Sequence, residues 1–485
     1  LSWSPPKPSR PVPRGLLHPL EIEWDADLRG SDPLGWPGYA DELAGQRGDS
    51  VITGRAAINP RRTTGRYVVI AGRFECFGGS MGAVHGERVV RAFRRAALER
   101  LPVVVLSASG GARLQEGMVA LVQMARTATA VKLHGNAGLL SIAVLGAPTT
   151  GGVLASYASL TDIRAAEPGA TIGFAGPRVV EVMTGAVPPS QSHTAESAYF
   201  SGLVDALVAP SDQAAWVEAA LGERDLPLAA RPLPAAVEPE RDGPARTTTA
   251  WVEVLRARAR SRPSGVDHAA RLCQSWIELR GADPTLRAGL ARMGDRRLVV
   301  LASDRHAATG RPGPAAYRLA RRAIALAARL RLPLLTLVDL PGADPGPVAE
   351  AGGVATEIAQ TLGAMAELPT PIVSVCVGEG GSGGALALAA ADRLLMCEHS
   401  VFSVISPEGA AAILGRSTSA PADDVARMAA QLRLTATDAV ELGVADAIVP
   451  DDGRSLGQAI DDAFATSTPG DRGRRFDAAT ARWVG

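Results

Sequence analysis

Hydrophobic positions along this chain fall into two rhythms that alternate and then begin again. Between residues 88 and 98 apolar side chains recur at helical spacing, with Val89, Phe93 and Ala97 on one face and arginines elsewhere, which predicts an amphipathic helix. A Leu101-Pro102 break follows, then the unbroken apolar run 103–106 and the small-residue turn Gly110-Gly111-Ala112. The same plan returns at residues 317–344, where Leu319, Ala323 and Ala327 share a face, Leu332-Pro333 makes the break, 334–338 is the strand and Gly342-Ala343 the turn. Continuous apolar runs of this length are expected of parallel strands covered on both faces.

The repeat extends further. Residues 146–177 match residues 378–409 in layout: strand, glycine turn, helix, an aspartate (Asp162 or Asp392), then two short strands. Each copy closes on a Gly-x-x-Asp-Ala pattern before a proline, once around Asp205 and once around Asp446. A constant offset of about 230 to 240 residues predicts two homologous α/β domains in tandem, at 51–210 and 246–485. Residues 211–245, rich in Ala, Pro, Glu and Arg, read as a linker, and 1–50, with Trp3, Trp24, Trp36 and many prolines, as an irregular N-terminal arm.

The glycine turn "GEGGSGGAL" at residues 378–386 admits three chemistries. Gly380-Gly381-Ser382-Gly383-Gly384 spells the G-x-S-x-G elbow of a nucleophilic serine, but the only downstream acid–His candidates, Asp392 and His399, lie too near in sequence to arrive from separate strand ends. Gly378, Gly380 and Gly383 also spell a dinucleotide fingerprint, with Glu398 about 20 residues on, yet the turn follows a late strand and the first copy lacks the pattern. A backbone reading covers both copies: Gly110-Gly111 with Gly151-Gly152, and Gly342-Ala343 with Gly383-Gly384-Ala385, make two pairs of turns whose N–H groups could form oxyanion holes. Close helix packing is the alternative without chemistry.

Composition narrows the setting. A hydrophobic content of 46% and zero formal net charge describe a globular protein with no bias toward nucleic acid or membranes, and a cytoplasmic location is expected. Cys76, Cys273, Cys376 and Cys397 form no C-x-x-C pair, so neither a zinc ribbon nor a disulfide framework is expected, and Cys376 reads as a buried apolar residue. Among 50 basic residues only Lys7 and Lys132 are lysines, and neither sits in a phosphate loop or on a cofactor-carrying hairpin.

The stretches "SASGGARLQEG", "PTTGGVLASYA" and "EPGATIGFAGPRVVE" resemble the β subunit of the carboxyltransferase component of biotin-dependent acetyl-CoA carboxylase. "LVDLPGADPG", "GEGGSGGALAL" and "LTATDAVELGVAD" resemble its α subunit, as if the two were fused. The resemblance implies a crotonase-like ββα superhelix in each domain and transfer of CO2 from carboxybiotin to the α-carbon of a short acyl-CoA, with acetyl-CoA giving malonyl-CoA. It implies that Gly151 and Gly152, with Gly110, Gly111 and Ala112, hold the thioester enolate, and that Gly383, Gly384 and Ala385, with Gly342 and Ala343, hold the ureido oxygen of biotin. Biotin then takes the α-proton and no side-chain base is needed.

Arg113 would touch CoA or pair with Glu116. A Ser or Thr in the Ser192-His193-Thr194 stretch would cap a helix, and Asp162 and Asp392 would make structural hydrogen bonds. The implied partners are a separate biotin carboxylase and biotin carrier, and the implied assembly is a homodimer whose site joins one protomer's first domain to the other's second. No metal is expected, since the family's four-cysteine ribbon has no counterpart here.

Two departures fall in the second domain. Asp344 stands in Gly342-Ala343-Asp344-Pro345-Gly346 where the family has tyrosine, and Ser303-Asp304-Arg305-His306 replaces a His-Gln-Lys-Gly stretch. Rival functions are a biotin-independent decarboxylase or acyltransferase of a malonyl thioester, and a non-catalytic scaffold subunit.

Overall fold

The computed structural model describes residues 16–46, 48–62, 64–235, 249–415, 421–481 and 483–484. The chain divides into two compact units, Leu1–Arg224 and Asp225–Gly485. Trp3 and Lys7 lie outside the described residues, as do residues 236–245 of the proposed linker.

In the first unit, strands β1 (Leu20–Trp24), β2 (Val51–Ala57) and β3 (Arg66–Gly72) pair antiparallel. β4 (Val103–Ser109), β5 (Ser141–Thr150), β6 (Ile163–Ala166) and β8 (Ala206–Leu207) continue the sheet in parallel, and the short β7 (Ile172–Gly173) pairs with the far end of β5. Val68, Ile70, Val103, Val105, Ala143 and Leu145 form a core with Val89, Phe93 and Ala96 of the helix Ala83–Glu99. Full burial of one such side chain stabilises by roughly 1.5–3 kcal/mol.

The second unit repeats this connectivity strand for strand. β9 (Ser275–Leu279), β10 (Leu286–Met293) and β11 (Arg296–Ser303) are antiparallel; β12 (Leu334–Leu340), β13 (Ile372–Gly381), β14 (Arg393–Cys397) and β16 (Ala447–Val449) follow in parallel, with β15 (Val401–Ser403) on the end of β13. The helix Pro314–Leu330 has 17 residues, as does its counterpart Ala83–Glu99. Both end on an arginine in left-handed backbone, Arg100 and Arg331, each at φ 55°, before the Leu-Pro break. Matched α/β units of this kind bear out the internal repeat.

The repeated aspartates explain themselves as staples. Asp162 Oδ2 accepts the Ser141 N–H and Asp392 Oδ2 the Ile372 N–H, both at 2.8 Å, so each ties the start of one strand to the next. Asp205 and Asp446 do the same for Arg164 and Leu394.

Two segments are more ordered than their composition suggests. The N-terminal arm contributes β1, the buried Trp24 and Tyr39, and His18, which bonds Tyr67 and Glu218. The proposed linker opens with the helix Gln213–Leu221, whose Trp216 and Val217 are buried. Among the described residues no helix is long and apolar enough to cross a membrane.

Candidate functional site

In the first unit β4 and β5 are neighbours, and both end in glycine turns, so their ends meet. Gly111 sits at φ 112° and Gly151 at φ 55°. A Cβ built on Gly151 would stand 2.8 Å from the Cα of Gly111, and one on Gly111 would stand 3.2 Å from the Cα of Gly151. Only glycine permits both this backbone and this approach. The Gly111 N–H is spent on Ser109 Oγ at 3.1 Å and the Gly151 N–H on Phe174 O at 2.9 Å. Gly152 follows in the first helical turn, where the helix supplies no acceptor for the N–H, and Ala112 adjoins it, a Cβ on Gly152 lying 3.5 Å from that of Ala112. Ala112 and Gly152 are therefore the adjoining pair of this turn whose N–H groups these acceptors do not take.

A third turn supports these two. Gly110 donates its N–H to Gly78 O at 2.9 Å, and Gly79, at φ 67°, packs so that a Cβ would lie 2.0 Å from Ala108 O. The "FGGS" turn at 77–80 carries no local sequence signal of this structural part.

Arg113 resolves its two readings by burial. Its side chain is wholly enclosed, with Nη2 2.7 Å from Asp49 Oδ1 and Nη1 3.2 Å from Glu116 Oε1. It also donates to Ser50 Oγ, Ser80 O and Tyr39 Oη, and its plane covers the Phe77 ring. An enclosed guanidinium cannot reach CoA, so the expected substrate contact is corrected: Arg113 holds the turn from behind. Burial opposes its charge, but Asp49 more than compensates and keeps its pKa above the ordinary arginine value. Ser50 Oγ reaches His85 Nδ1 at 2.8 Å and His85 Nε2 reaches Tyr157 Oη at 2.9 Å, linking this network to the helix after Gly152. Burial pushes the His85 imidazole down to about 3.

The second unit builds the same geometry at the ends of β12 and β13. Gly342 sits at φ 121°, and a Cβ on Gly381 would fall 2.5 Å from Gly342 N. A Cβ on Gly384 would lie 2.8 Å from Ala343 N, which packs the helix Ser382–Ala389 against that turn. Ala385 is buried one residue farther along this helix. Strand register pairs Ser109 with Thr149 in the first sheet and Leu340 with Gly380 in the second, so Gly151 corresponds to Ser382 and Gly152 to Gly383. Ser382 itself lies at φ 57°.

Beneath this turn runs a ladder of alternating charge. Glu408 pairs with Arg258 at 2.6 Å, Arg258 with Glu379 at 2.7 Å, Arg305 with Glu379 at 3.6 Å, and Arg305 with Asp339 at 3.0 Å. Asp339 Oδ1 also accepts the Glu379 N–H at 3.0 Å, fastening β13 to β12 just before its glycines. Burial raises the Asp339 carboxyl above the usual range, with Arg305 opposing. Arg258 and Arg305, with Arg231 and Arg260, line a pocket of about 470 Å³. None of this ladder was read from sequence beyond the departure at Arg305.

Three smaller expectations are met: a helix cap, buried cysteines and a structural role for Asp392. Thr194 caps the helix Ala195–Phe200 by accepting the Ser197 N–H. All four cysteines are buried, and burial pushes the Cys273 and Cys376 thiols up to about 12. The nucleophile reading finds no partner: the Asp392 oxygens are taken by Ile372, Gly470 and Arg472, and His399 is bonded to Glu253 at 2.8 Å.

Similarity to known proteins matches this architecture. Residues 228–467 match the family described as acetyl co-enzyme A carboxylase carboxyltransferase-like. Over 452 residues the chain is 42% identical to the acetyl-coenzyme A carboxylase carboxyl transferase subunits beta/alpha of Salinispora tropica, covering 87% of this chain and 78% of that protein. It is 40% identical over 445 residues to a probable biotin-dependent acyl-coenzyme A carboxylase beta3 subunit of Mycobacterium bovis, covering 89% and 86%. In fold it is similar to the transcarboxylase 12S structure, with a TM-score of 0.75 and 24% identity, covering 93% of this chain and 89% of that one. The duplicated crotonase-like sheet and the matched glycine turns thus agree with the sequence relationship: the chain belongs to the carboxyltransferase family of biotin-dependent acyl-CoA carboxylases and is an enzyme of that family.

Proposed function

We propose that the first unit's turn, at Gly110, Gly111, Ala112, Gly151 and Gly152, stabilises the enolate of an acyl-CoA thioester. The second unit's turn, at Gly342, Ala343, Gly383, Gly384 and Ala385, stabilises the ureido oxygen of biotin carried on a separate protein. The observation that carries this reading is the same convergent turn built twice at the same strand register. Carboxyl transfer develops an anionic oxygen on each of two substrates, and two preorganised holes answer that need; one such donor is worth roughly 10² to 10³ in rate.

In the reaction the N–CO2 bond of carboxybiotin breaks, the α-carbon of the thioester forms the new C–C bond, and the α-proton passes to the ureido nitrogen. No protein base is required. The acceptor is acetyl-CoA and the product malonyl-CoA for fatty-acid synthesis. The enzyme acts in the cytoplasm as a homodimer, with a separate biotin carboxylase and biotin carrier.

The test runs the reaction backwards with purified protein, malonyl-CoA and biocytin, following acetyl-CoA. Product that depends on biocytin supports the reading. Product formed equally without it points instead to a simple malonyl-thioester decarboxylase, and tight CoA binding with no turnover on any acyl group points to a scaffold subunit.

A further inference from the structure

Ser382 and Gly151 occupy one position in the repeat, two residues past the paired positions Gly380 and Thr149, and they share a left-handed backbone at φ 57° and 55°. Glycine takes this conformation at no steric cost, whereas a serine side chain brings its Cβ too near the following carbonyl. A residue held in such a conformation is a pointer to function when the surroundings give it no structural reason.

Here they give none. Ser382 is exposed, and its hydroxyl has no hydrogen-bond partner among the described residues. The next residue, Gly383, is also exposed, with open space where its Cβ would be. The serine makes no helix-cap hydrogen bond, and it stands at the first position of the helix Ser382–Ala389, one residue before Gly383.

We propose that the Ser382 hydroxyl is a ligand-contacting hydrogen-bond donor of the second unit's hole, giving its O–H to the anionic oxygen of the biotin-side substrate beside the backbone donors. The inference rests on the carboxyltransferase reading above. It requires no bond to serine, only a hydrogen bond that strengthens as negative charge grows on the acceptor. The first unit, with Gly151 in this place, has no such side-chain donor. At this position the two turns thus differ in one hydroxyl-bearing side chain.

Two variants separate the hydroxyl from the strain. Ser382→Gly relieves the backbone and removes the donor; it should raise Tm by about 2 °C while lowering biocytin-dependent kcat/KM roughly 10-fold or more. Ser382→Ala keeps the strained backbone and should show the same rate loss without the rise in Tm. KM for malonyl-CoA should stay unchanged in both.

Wild-type rates in both variants would overturn the proposal and leave the carboxyltransferase reading intact. So would a slow alanine variant beside a glycine variant at full rate, which would show that the hydroxyl is dispensable and assign the effect to the alanine methyl. A wild-type enzyme whose turnover ignores biocytin would instead remove the reading itself.

Discussion

The carboxylate of Asp339 stands where a side chain on Gly378 would have to go: a Cβ there would lie 2.2 Å from Asp339 Oδ1. The close approach lets Asp339 fasten the Glu379 N–H and pair with Arg305 at the same time. Gly378→Ala should push the carboxylate out of both contacts. Overpacking and a disturbed buried ion pair together should cost about 2–4 kcal/mol, read as a lower urea midpoint. The biocytin-dependent rate should fall while acyl-CoA binding by the first unit's turn is kept. Equal loss of both would show that Gly378 serves the fold rather than this turn.

On the other side of the repeat, Gly111→Ala places a Cβ against Gly151 at a backbone angle that alanine rarely adopts. The expected outcome is a fall of roughly 10² in kcat/KM for the thioester substrate, with biocytin KM unchanged. Steady-state kinetics with each substrate varied in turn distinguishes this from general damage.

Much of this could be read from the chain, and the reasons are physical. Val89 and Phe93 at helical spacing, the apolar run at 103–106, and the aspartates Asp162 and Asp392 are local signals, and the structure uses each as its spacing suggests. The correspondence of Ser382 with Gly151 was hidden because a glycine-rich turn has no unique alignment; strand pairing alone fixes it. The Arg113 network was hidden for another reason. Asp49 lies 64 residues before Arg113, and Tyr157 lies 72 after His85, so no local pattern joins them. Trp216 in the proposed linker shows a third limit: an Ala- and Pro-rich stretch can still carry a packed helix.

The Arg113 network predicts a large effect from one substitution. Arg113→Met would leave Asp49 and Glu116 as buried carboxylates without their cation. Breaking a buried pair from one side typically costs about 3–5 kcal/mol, so chemical denaturation should report a loss of that order. Arg113→Lys should recover only part of it, because an ammonium cannot serve Asp49, Glu116, Ser50 and Ser80 with one planar fork. Full recovery by lysine would mean that charge alone matters at this position.

His85 gives the fold a pH dependence of definite sign. Its imidazole is held down to about 3 by burial, while an unfolded chain takes up that proton near the ordinary value of 6.5. Between these two values the unfolded state binds more protons, so stability falls as pH drops below about 6.5. His268, held down to about 4, acts in the same direction in the second unit. Each imidazole contributes at most about 1.4 kcal/mol per pH unit. The urea midpoint should therefore decrease from pH 7 to pH 5, a window above the range where carboxylates take up most of their protons. His85→Gln, which keeps a polar side chain between Ser50 and Tyr157 but cannot titrate, should give a shallower decrease. If wild type and variant follow the same slope, His85 is not the group that the acid finds.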